Sequence, residues 1–316
     1  MKDSAVLLID CPDRKGLVAR VSGLLYERGA NILHADQHQD HERGLFFMRV
    51  EWALDGHANG TARTHAGDSH DRTSTAENAP QTAQPGRERF DLDGFRAVFA
   101  PLADELGMRW QMSSGARPTR VALFCSQYLH CMADLLQRWR SGELECEIPL
   151  VISNHRGVEG LAHFYGIPVE FVPVTAATRA EAEAHQLELL ARHGVELVVL
   201  ARYMQILSDG LAAKLSGRCI NIHHSFLPGF KGAKPYHQAH ARGVKLIGAT
   251  AHFVTSDLDE GPIIEQDVER ISHRDTPDDL VRKGRDIERR VLARALSYAL
   301  EDRVLPNGRK TVVFYG

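Results

Sequence analysis

The first 54 residues contain apolar positions at both strand-like and helix-like spacing. The run AVLLIDC is short, continuous and apolar, which is typical of a buried strand. The next segment, LVARVSGLLYERG, places Leu17, Val21, Leu24 and Leu25 at helical spacing and ends at Gly29, a common helix terminator. Two further strands are predicted for NILHADQHQ and GLFFMRVEW, because the turn-forming residues DHERG separate them.

A polar interval then interrupts this pattern. Residues 56–88 contain no Leu, Ile, Val, Phe, Met, Trp or Tyr. They cannot bury enough apolar surface to offset the entropy of ordering, so we predict a flexible insertion. We interpret its three histidines as solvated loop residues, because no regular element fixes them as metal ligands. Beyond it, LDGFRAVFAPLADELG predicts an amphipathic helix and MRWQM a strand, so residues 1–112 form a ferredoxin-like β-α-β-β-α-β unit.

A second domain, residues 120–316, follows the Pro-containing linker SSGARPT at 113–119. Its strand-like runs are RVALFCS, EIPLVISN, IPVEFVPV, VELVVLAR and RCINIHHS, and helical segments separate the first four. This alternation predicts an α/β domain with a mainly parallel sheet, whose ligands bind outside the carboxyl ends of the strands. A hairpin and a long helix complete the chain. Within that helix, we interpret RKGRDIERR at 282–290 as a solvated face with i,i+4 ion pairs.

The charge balance and the length of the apolar runs argue against some classes of partner. The 38 Lys and Arg residues against 41 Asp and Glu residues give a formal net charge of −3, which offers no electrostatic reason to expect nucleic acid or an anionic membrane. No apolar run approaches the roughly 20 residues of a membrane-spanning helix, and the N-terminus lacks a signal-peptide pattern. The five cysteines contain no C-x-x-C pair, so we expect small buried apolar side chains and a reduced, cytoplasmic protein.

The densest polar group of the chain lies in NIHHSFLPGFKGAKPYHQA, residues 221–239. Asn221 and His223 alternate along a predicted strand end, so their side chains project to one face. A second group, HFVTSDLDEGPII, carries Asp257 and Asp259 on a turn. An amide, an imidazole and a carboxylate can together stabilise an oxyanion and move protons. These residues alone predict a generic acyl-transfer or hydrolysis site, or a set of structural hydrogen bonds.

Two motifs make a family resemblance specific. N-I-H-x-S-x-L-P at 221–228 and H-F-V-x-x-x-x-D-x-G at 252–261 resemble the signature of the folate-dependent formyltransferases of the glycinamide ribonucleotide type. The stretch 221–268 and the segment VALFCSQYLHCMADLLQRWRSGELECEIPLVISNH are closer still to the formyltetrahydrofolate deformylases. DRKGLVARVSGLLYERGANI resembles an ACT regulatory domain, which the deformylases carry. Apart from 56–88, nearly the whole chain is covered, which implies an ACT domain followed by a Rossmann-like formyltransferase-type domain.

The resemblance implies roles by position. Asn221 and His223 would bind the formyl oxygen and stabilise its oxyanion, and Asp259 would position water and move protons to the departing N10. The segment 201–208 and the loop 254–260 would receive the folate. The folate-contacting residues implied in this way are Met204, Gln205, Ile206, Leu207, Val254 and Asp257. No metal and no organic cofactor beyond the folate substrate is implied.

Hydrolysis and transfer differ at the loop after the first strand of this domain. The related transferases cradle a phosphorylated amine with a glycine-rich loop, whereas FCSQYLHCMADLL contains no glycine between Phe124 and Leu136. Bulky side chains there obstruct backbone approach to an anion, so water becomes the expected nucleophile. We therefore predict hydrolysis of 10-formyltetrahydrofolate to tetrahydrofolate and formate. Transfer to an amine such as glycinamide ribonucleotide is the alternative, and a silent folate or amino-acid sensor is a third.

Several residues keep two interpretations at this point. For His252 we favour a structural strand histidine, and for His224 a place at the site edge and a structural place stand equal. Asn154 and His155 end a strand on the ligand-facing side, where they contact either substrate or protein. The ACT-like unit serves either to assemble a homo-oligomer or, in addition, to bind an amino-acid effector. The expected effector-binding residues are Asp13, Gly16, Asn31 and Ile32.

Overall fold

The computed structural model describes residues 3–54, 89–115, 117–229 and 235–315. The predicted insertion, 56–88, lies outside the described residues. The chain divides into two compact units, residues 2–116 and residues 117–316 together with residue 1. Within the described part, no helix combines the length and the apolar character needed to cross a membrane.

The N-terminal unit has the predicted β-α-β-β-α-β order. Its antiparallel sheet has the strand order β2-β3-β1-β4, and the helices cover one face, where Phe95, Phe99 and Trp52 are fully buried. Gly16, in the left-handed conformation, precedes the first helix, and Asp91 caps the second by accepting from the Gly94 amide. The elements are β1 Ser4–Pro12, α1 Leu17–Glu27, β2 Asn31–Asp40, β3 Leu45–Ala53, α2 Leu92–Leu106 and β4 Arg109–Ser114.

The C-terminal unit contains a seven-stranded sheet of order β11-β10-β9-β8-β5-β6-β7. The five strands from β9 to β7 are parallel, and the last two, β10 and β11, form the predicted antiparallel hairpin. The strands are β5 Thr119–Cys125, β6 Cys146–Ser153, β7 Val169–Phe171, β8 Leu197–Leu200, β9 Cys219–His223, β10 Leu246–Phe253 and β11 Ile263–Arg270. The α/β fold class is therefore confirmed. Because β5 starts at Thr119 and β4 ends at Ser114, the strands extend into both ends of the predicted linker.

Helices flank this sheet and build its core. They are α3 His130–Arg140, α4 Glu159–Phe164, α5 Arg179–Arg192, α6 Asp209–Lys214, α7 Pro235–Arg242 and α8 Pro277–Leu300, with a 3-10 turn at Arg156–Val158. The long α8 starts with a capping box between Thr276 and Asp279 and packs on β9, β10 and β11. The sequence analysis missed α6, α7 and a small terminal hairpin, β12 Val304–Asn307 and β13 Lys310–Val313, because each is short.

The strand order places a switch point between β5 and β8. The chain leaves β5 toward β6 on one side and returns at β8 on the other, so the connections at their carboxyl ends diverge. In open α/β sheets such a divergence opens a crevice for ligands. We therefore expect the residues that follow β5, β8 and β9 to line a ligand-binding site.

Candidate active site

Strands β9 and β10 bring the polar residues of the first motif together. Asn221 pairs with His252, and His223 pairs with Thr250, across the antiparallel ladder. Paired residues of an antiparallel ladder point to the same face, so all four side chains lie on one side of the sheet. Ile222, between the two polar residues, points into the opposite core. The alternation in the sequence thus positions an amide and an imidazole side by side.

Asp259 reaches the same face from the loop after β10. Its backbone is left-handed, with φ of 57°, a conformation that Asp and Asn adopt more readily than most residues. The loop closes tightly on the strand end, because a Cβ added to Gly261 would lie 1.7 Å from the carbonyl oxygen of Phe253. The amide of Phe253 also donates to the carbonyl of Pro262 at 2.9 Å. This close approach fixes where the Asp259 carboxylate points.

The carboxylate of Asp259 contacts both histidines. Its Oδ2 lies 3.2 Å from Nδ1 of His223, and its Oδ1 lies 3.7 Å from Nε2 of His252. Burial by itself raises the pKa of Asp259, but the hydrogen bonds from the two imidazoles outweigh burial and hold that pKa well below its usual range. Asp259 is therefore an ionised acceptor at neutral pH.

His223 keeps one ring nitrogen for a further partner. Its side chain is only 7% exposed, and Nε2 is buried without a hydrogen-bond partner among the described residues. An unpaired buried polar atom is costly in a folded protein unless water or a ligand satisfies it. Since Nδ1 is engaged by Asp259, the geometry leaves Nε2 to contact a reacting group. Asn221, His223 and Asp259 thus converge as the sequence predicts.

His252 belongs to this cluster, although the sequence analysis favoured a purely structural place for it. Its Nδ1 lies 2.9 Å from the carbonyl of Phe253, which is the expected structural bond. Its Nε2 lies 3.2 Å from Nδ2 of Asn221 and also faces Asp259. The pairing of β9 with β10, which places this histidine opposite Asn221, is visible only in the structure. His252 Nε2 therefore borders both groups: without a proton it accepts from the Asn221 amide, and with a proton it faces the Asp259 carboxylate as a donor.

The residues expected to contact folate follow β8 and β10. Met204 and Ile206 are 50% and 56% exposed, whereas Leu207 and Val254 are half-buried against the core. Exposed apolar side chains at the carboxyl end of a strand suit a flat heterocycle. Gln205 is half-buried beside them. Asp257 is exposed, and its carbonyl accepts from Thr255 Oγ1 at 3.1 Å, which shapes the Asp259 loop.

A hydrogen-bonded chain connects three loops at the switch point. Ser126 Oγ donates to Asn154 Oδ1 at 2.7 Å and accepts from the Met204 amide at 2.9 Å. Asn154 thus contacts, through Ser126, the loop that is expected to receive folate. Nε2 of His155 lies 3.5 Å from Nε2 of Gln127, at the outer side of the same loop.

A second carboxylate, Glu288 on α8, is 1% exposed and forms what we call the Glu288 cluster: Glu288, His130, Arg202 and Tyr236. Its Oε2 lies 2.7 Å from Nε2 of His130 and 3.3 Å from Nε of Arg202, and its Oε1 accepts from the Tyr236 hydroxyl at 2.7 Å. Burial raises the pKa of Glu288, but the hydrogen bond from His130 and the charge of Arg202 outweigh burial and lower it.

This cluster corrects the interpretation of 282–290 as a solvated face. Gly284, Ile287 and Glu288 in that run are buried, and Arg282 and Arg289 pair with acidic residues at i,i+3 rather than i,i+4. The physical reason is the helical period, which places Glu288 on the apolar stripe of α8 despite its charge. Charge alone misled the sequence analysis, whereas the spacing of the apolar positions contained the correct answer.

His224 lies between the two carboxylate clusters. Its ring centroid is 5.1 Å from that of His223 and 6.5 Å from that of Tyr236. Burial, followed by the positive charge of Arg202, lowers the pKa of His224 to about 4, so the ring is neutral at physiological pH. Its Nδ1 is buried without a hydrogen-bond partner in the described structure.

One group in the described residues has metal-ligand composition: His130, Cys131 and Glu288, with ligand atoms within 4.8 Å of one another. The Arg202 guanidinium next to Glu288 competes with any cation for that carboxylate. The Cys131 thiol is also held neutral, because burial raises its pKa well above the usual range, whereas metal binding requires the thiolate. All five cysteines are free and buried, as predicted.

The expected effector residues lie at opposite ends of the N-terminal sheet. Asn31 pairs with Ala53, as does Ser4 at the start of β1, whereas Asp13 follows the far end of that strand. At about 3.3 Å per residue, the two ends are some 25 Å apart. The backbone amide of Asp13 already donates a hydrogen bond to the carbonyl oxygen of Gly44 at 2.8 Å. One small molecule cannot contact Asp13 or Gly16 and also Asn31 or Ile32 within a single copy of the chain.

Comparisons with known proteins match both units. The family model described as formyl transferase matches residues 119–296, and the model described as ACT domain matches residues 5–62. A curated relative named formyltetrahydrofolate deformylase, from Synechocystis sp., is 46% identical over 311 residues, covering 98% of this chain and 98% of the relative.

Solved structures separate two groups of relatives. The crystal structure of a formyltetrahydrofolate deformylase from Pseudomonas syringae pv. tomato has a TM-score of 0.87 and 46% identity, covering 100% of this chain and 95% of that chain. Glycinamide ribonucleotide transformylase 1 from Symbiobacterium toebii has a TM-score of 0.59 and 31% identity, and covers 64% of this chain and 96% of that chain. The likeness to the deformylase includes the ACT unit, whereas the likeness to the transformylase covers less of the chain.

Proposed function

This chain belongs to the formyltetrahydrofolate deformylase family, and from that premise we propose that it hydrolyses 10-formyltetrahydrofolate to tetrahydrofolate and formate. Such a reaction balances one-carbon pools and supplies formate for purine synthesis. The observation that carries the proposal is the contact between His223 and the ionised Asp259, which leaves a buried imidazole nitrogen free to meet a reacting carbonyl.

The reaction assigns a distinct task to each residue of the site. The oxygen of a water molecule adds to the formyl carbon while Asp259 accepts its proton. Asn221 Nδ2 and, when His223 carries both ring protons, His223 Nε2 donate to the developing oxyanion, because each is presented on the same face of β9. The intermediate then collapses: the bond from carbon to N10 breaks, N10 takes a proton, and formate leaves. His252 holds Asn221 and Asp259 in position.

The folate binds between the loops that follow β8 and β10. Met204 and Ile206 contribute exposed apolar surface for the pterin, and Leu207 and Val254 form its half-buried base. Gln205 and Asp257 contribute polar contacts at the edge of the ring. We further propose that catalysis needs no metal and no organic cofactor. Turnover that survives exhaustive chelation supports this, and turnover restored only by added metal contradicts it.

Regulation and assembly use the ACT unit. Because Asp13 and Gly16 lie about 25 Å from Asn31 and Ile32 in one copy, an amino-acid effector that contacts both sets would bind between two copies of a homo-oligomer. The enzyme is proposed to act in the cytoplasm, on a small-molecule substrate. Light scattering with and without single amino acids tests assembly and effector binding together.

The defining experiment incubates the protein with 10-formyltetrahydrofolate and no acceptor. Stoichiometric release of formate and tetrahydrofolate is expected. Loss of substrate only when glycinamide ribonucleotide is added would establish a transferase instead. Folate binding without turnover, in protein whose fold is verified by circular dichroism, would establish a sensor.

A further inference from the structure

Arg202 holds an unfavourable backbone conformation at the carboxyl end of β8. Its φ is 62°, in the left-handed region that is unfavourable for a residue with a Cβ. Its side chain is nevertheless only 10% exposed. A strained residue with a buried side chain next to a site indicates that the side chain, rather than the backbone, has a task there.

The guanidinium of Arg202 packs against Tyr128 in the loop that follows β5. It lies 5.3 Å from the ring centroid of Tyr128, and the guanidinium of Arg285 lies 5.8 Å from the same ring. Tyr128 is 43% exposed, so the two cations hold an aromatic side chain that would otherwise move freely in solvent. These side chains therefore lie at the carboxyl ends of β5 and β8, the two strands that flank the switch point.

The Glu288 cluster makes this arrangement rigid. Glu288 contacts Arg202, His130 and Tyr236 at once, so moving any one of them exposes an unpaired buried charge. Tyr236 packs so closely on Gly284 that an added Cβ would lie 2.0 Å from its ring. The cluster therefore behaves as a fixed body rather than as a set of adjustable side chains.

This body borders the reacting centre through His224. The ring of His224 lies between Tyr236 and His223, and the charge of Arg202 acts on it directly. His223 Nε2 is the atom left free for the substrate carbonyl. His224 and, behind it, the Glu288 cluster therefore lie next to the imidazole that is proposed to meet the formyl group.

We propose that Arg202, with Tyr128 and the Glu288 cluster, determines which nucleophile reacts, by closing the formyl site to amines while leaving room for water. This inference rests on the proposed function and specifies how that site selects its second reactant. An amine acceptor must place its nitrogen and its substituent carbon beside the formyl carbon, whereas water needs only the volume of one oxygen. Discrimination by such a steric limit reaches about tenfold to a few hundredfold per excluded heavy group.

Opening this space would permit a second, balanced reaction. The lone pair of a primary amine adds to the formyl carbon, the bond from carbon to N10 breaks, and the proton lost by the amine goes to N10. The products are tetrahydrofolate and an N-formyl amine. Glycinamide is a suitable probe, because it is a small primary amine without a phosphate that would need its own binding loop.

The test measures the ratio of formylglycinamide to formate produced from 10-formyltetrahydrofolate at increasing glycinamide concentration. Arg202→Gly removes the side chain in a residue that accepts positive φ, and Tyr128→Ala opens the same wall from its exposed side. Asp302→Gly is the matched control, since Asp302, beyond the end of α8, also has a positive φ of 50°. Blanks without enzyme correct for the uncatalysed reaction.

In Arg202→Gly or Tyr128→Ala we expect the ratio to rise at least about tenfold over the wild type, with Asp302→Gly unchanged. If Arg202→Gly does not fold, Tyr128→Ala alone decides. An unchanged ratio in a folded variant that still releases formate overturns the proposal. Folded Arg202→Gly with no turnover of either kind also overturns it, because Arg202 would then be required for hydrolysis itself. A wild type that releases no formate would contradict the proposed function instead.

Discussion

The half-buried carboxylate of Asp259 and the fully buried carboxylate of Glu288 belong to the same domain but have different settings. Asp259 lies on a loop in a strained conformation and contacts Nδ1 of His223 and Nε2 of His252. The other ring nitrogen of His223, Nε2, has no hydrogen-bond partner among the described residues. Glu288 lies within a long helix, and hydroxyl, imidazole and guanidinium groups surround both of its oxygens. Both oxygens of Glu288 thus accept hydrogen bonds, whereas the imidazole that contacts Asp259 keeps a buried nitrogen without a partner. Near Glu288, Nε of Arg202 is ion-paired at 3.3 Å but has no hydrogen-bond partner among the described residues.

The largest expected effect is on kcat, which should depend on Asp259 far more than on Glu288. Asp259→Asn keeps the size of the side chain and tolerates the left-handed backbone, yet removes the base. We expect kcat for formate release to fall by about 10²-fold or more. Glu288→Gln is the comparison variant, and its kcat per folded molecule should stay within about tenfold of the wild type. An equal loss in both variants would show that the two settings do not differ in chemistry.

For the free energy of unfolding, we expect replacement of Glu288 to have the larger effect of the two carboxylates. Glu288→Ala leaves Arg202 as a buried cation without its partner, which typically costs about 3–5 kcal/mol. Urea denaturation should show this loss. The double variant Arg202→Gly with Glu288→Ala removes both charges and should recover part of it. If the double variant loses the sum of the two single effects, Glu288 and Arg202 are not energetically coupled.

The smallest effect concerns His224, which lies between the clusters. Its pKa is lowered from 6.5 to about 4 in the folded state, so between these pH values the unfolded chain binds more protons. The free energy of unfolding should therefore fall as pH drops from 7 to 4, and His224 should contribute up to about 3 kcal/mol of this fall. His224→Gln should flatten the profile in that window. A wild-type profile that the variant reproduces would show that His224 titrates normally.

The periodicity of apolar positions was sufficient to predict the fold class of both domains. It was also sufficient to place the side chains of Asn221 and His223 on the same face of a strand. It could not show that β9 and β10 are neighbours, and without that pairing His252 had no visible connection to Asn221. Glu288 was missed for another reason: its charge suggested solvent, although its position on α8 indicated the core. Asp13 and Asn31 were grouped as expected effector-binding residues through the resemblance to ACT domains, and only the strand register shows how far apart they lie.

The convergence of Asn221, His223 and Asp259 on one carbon centre is the central claim, and isotopic labelling of the product tests it most directly. Turnover of 10-formyltetrahydrofolate in water enriched in ¹⁸O should give formate with one labelled oxygen, because the formyl oxygen is retained and the second oxygen comes from solvent. Formate incubated with the enzyme under the same conditions should gain no label. Unlabelled product, or a rate of label incorporation that is unchanged in Asp259→Asn, would contradict attack by a water molecule that this site positions.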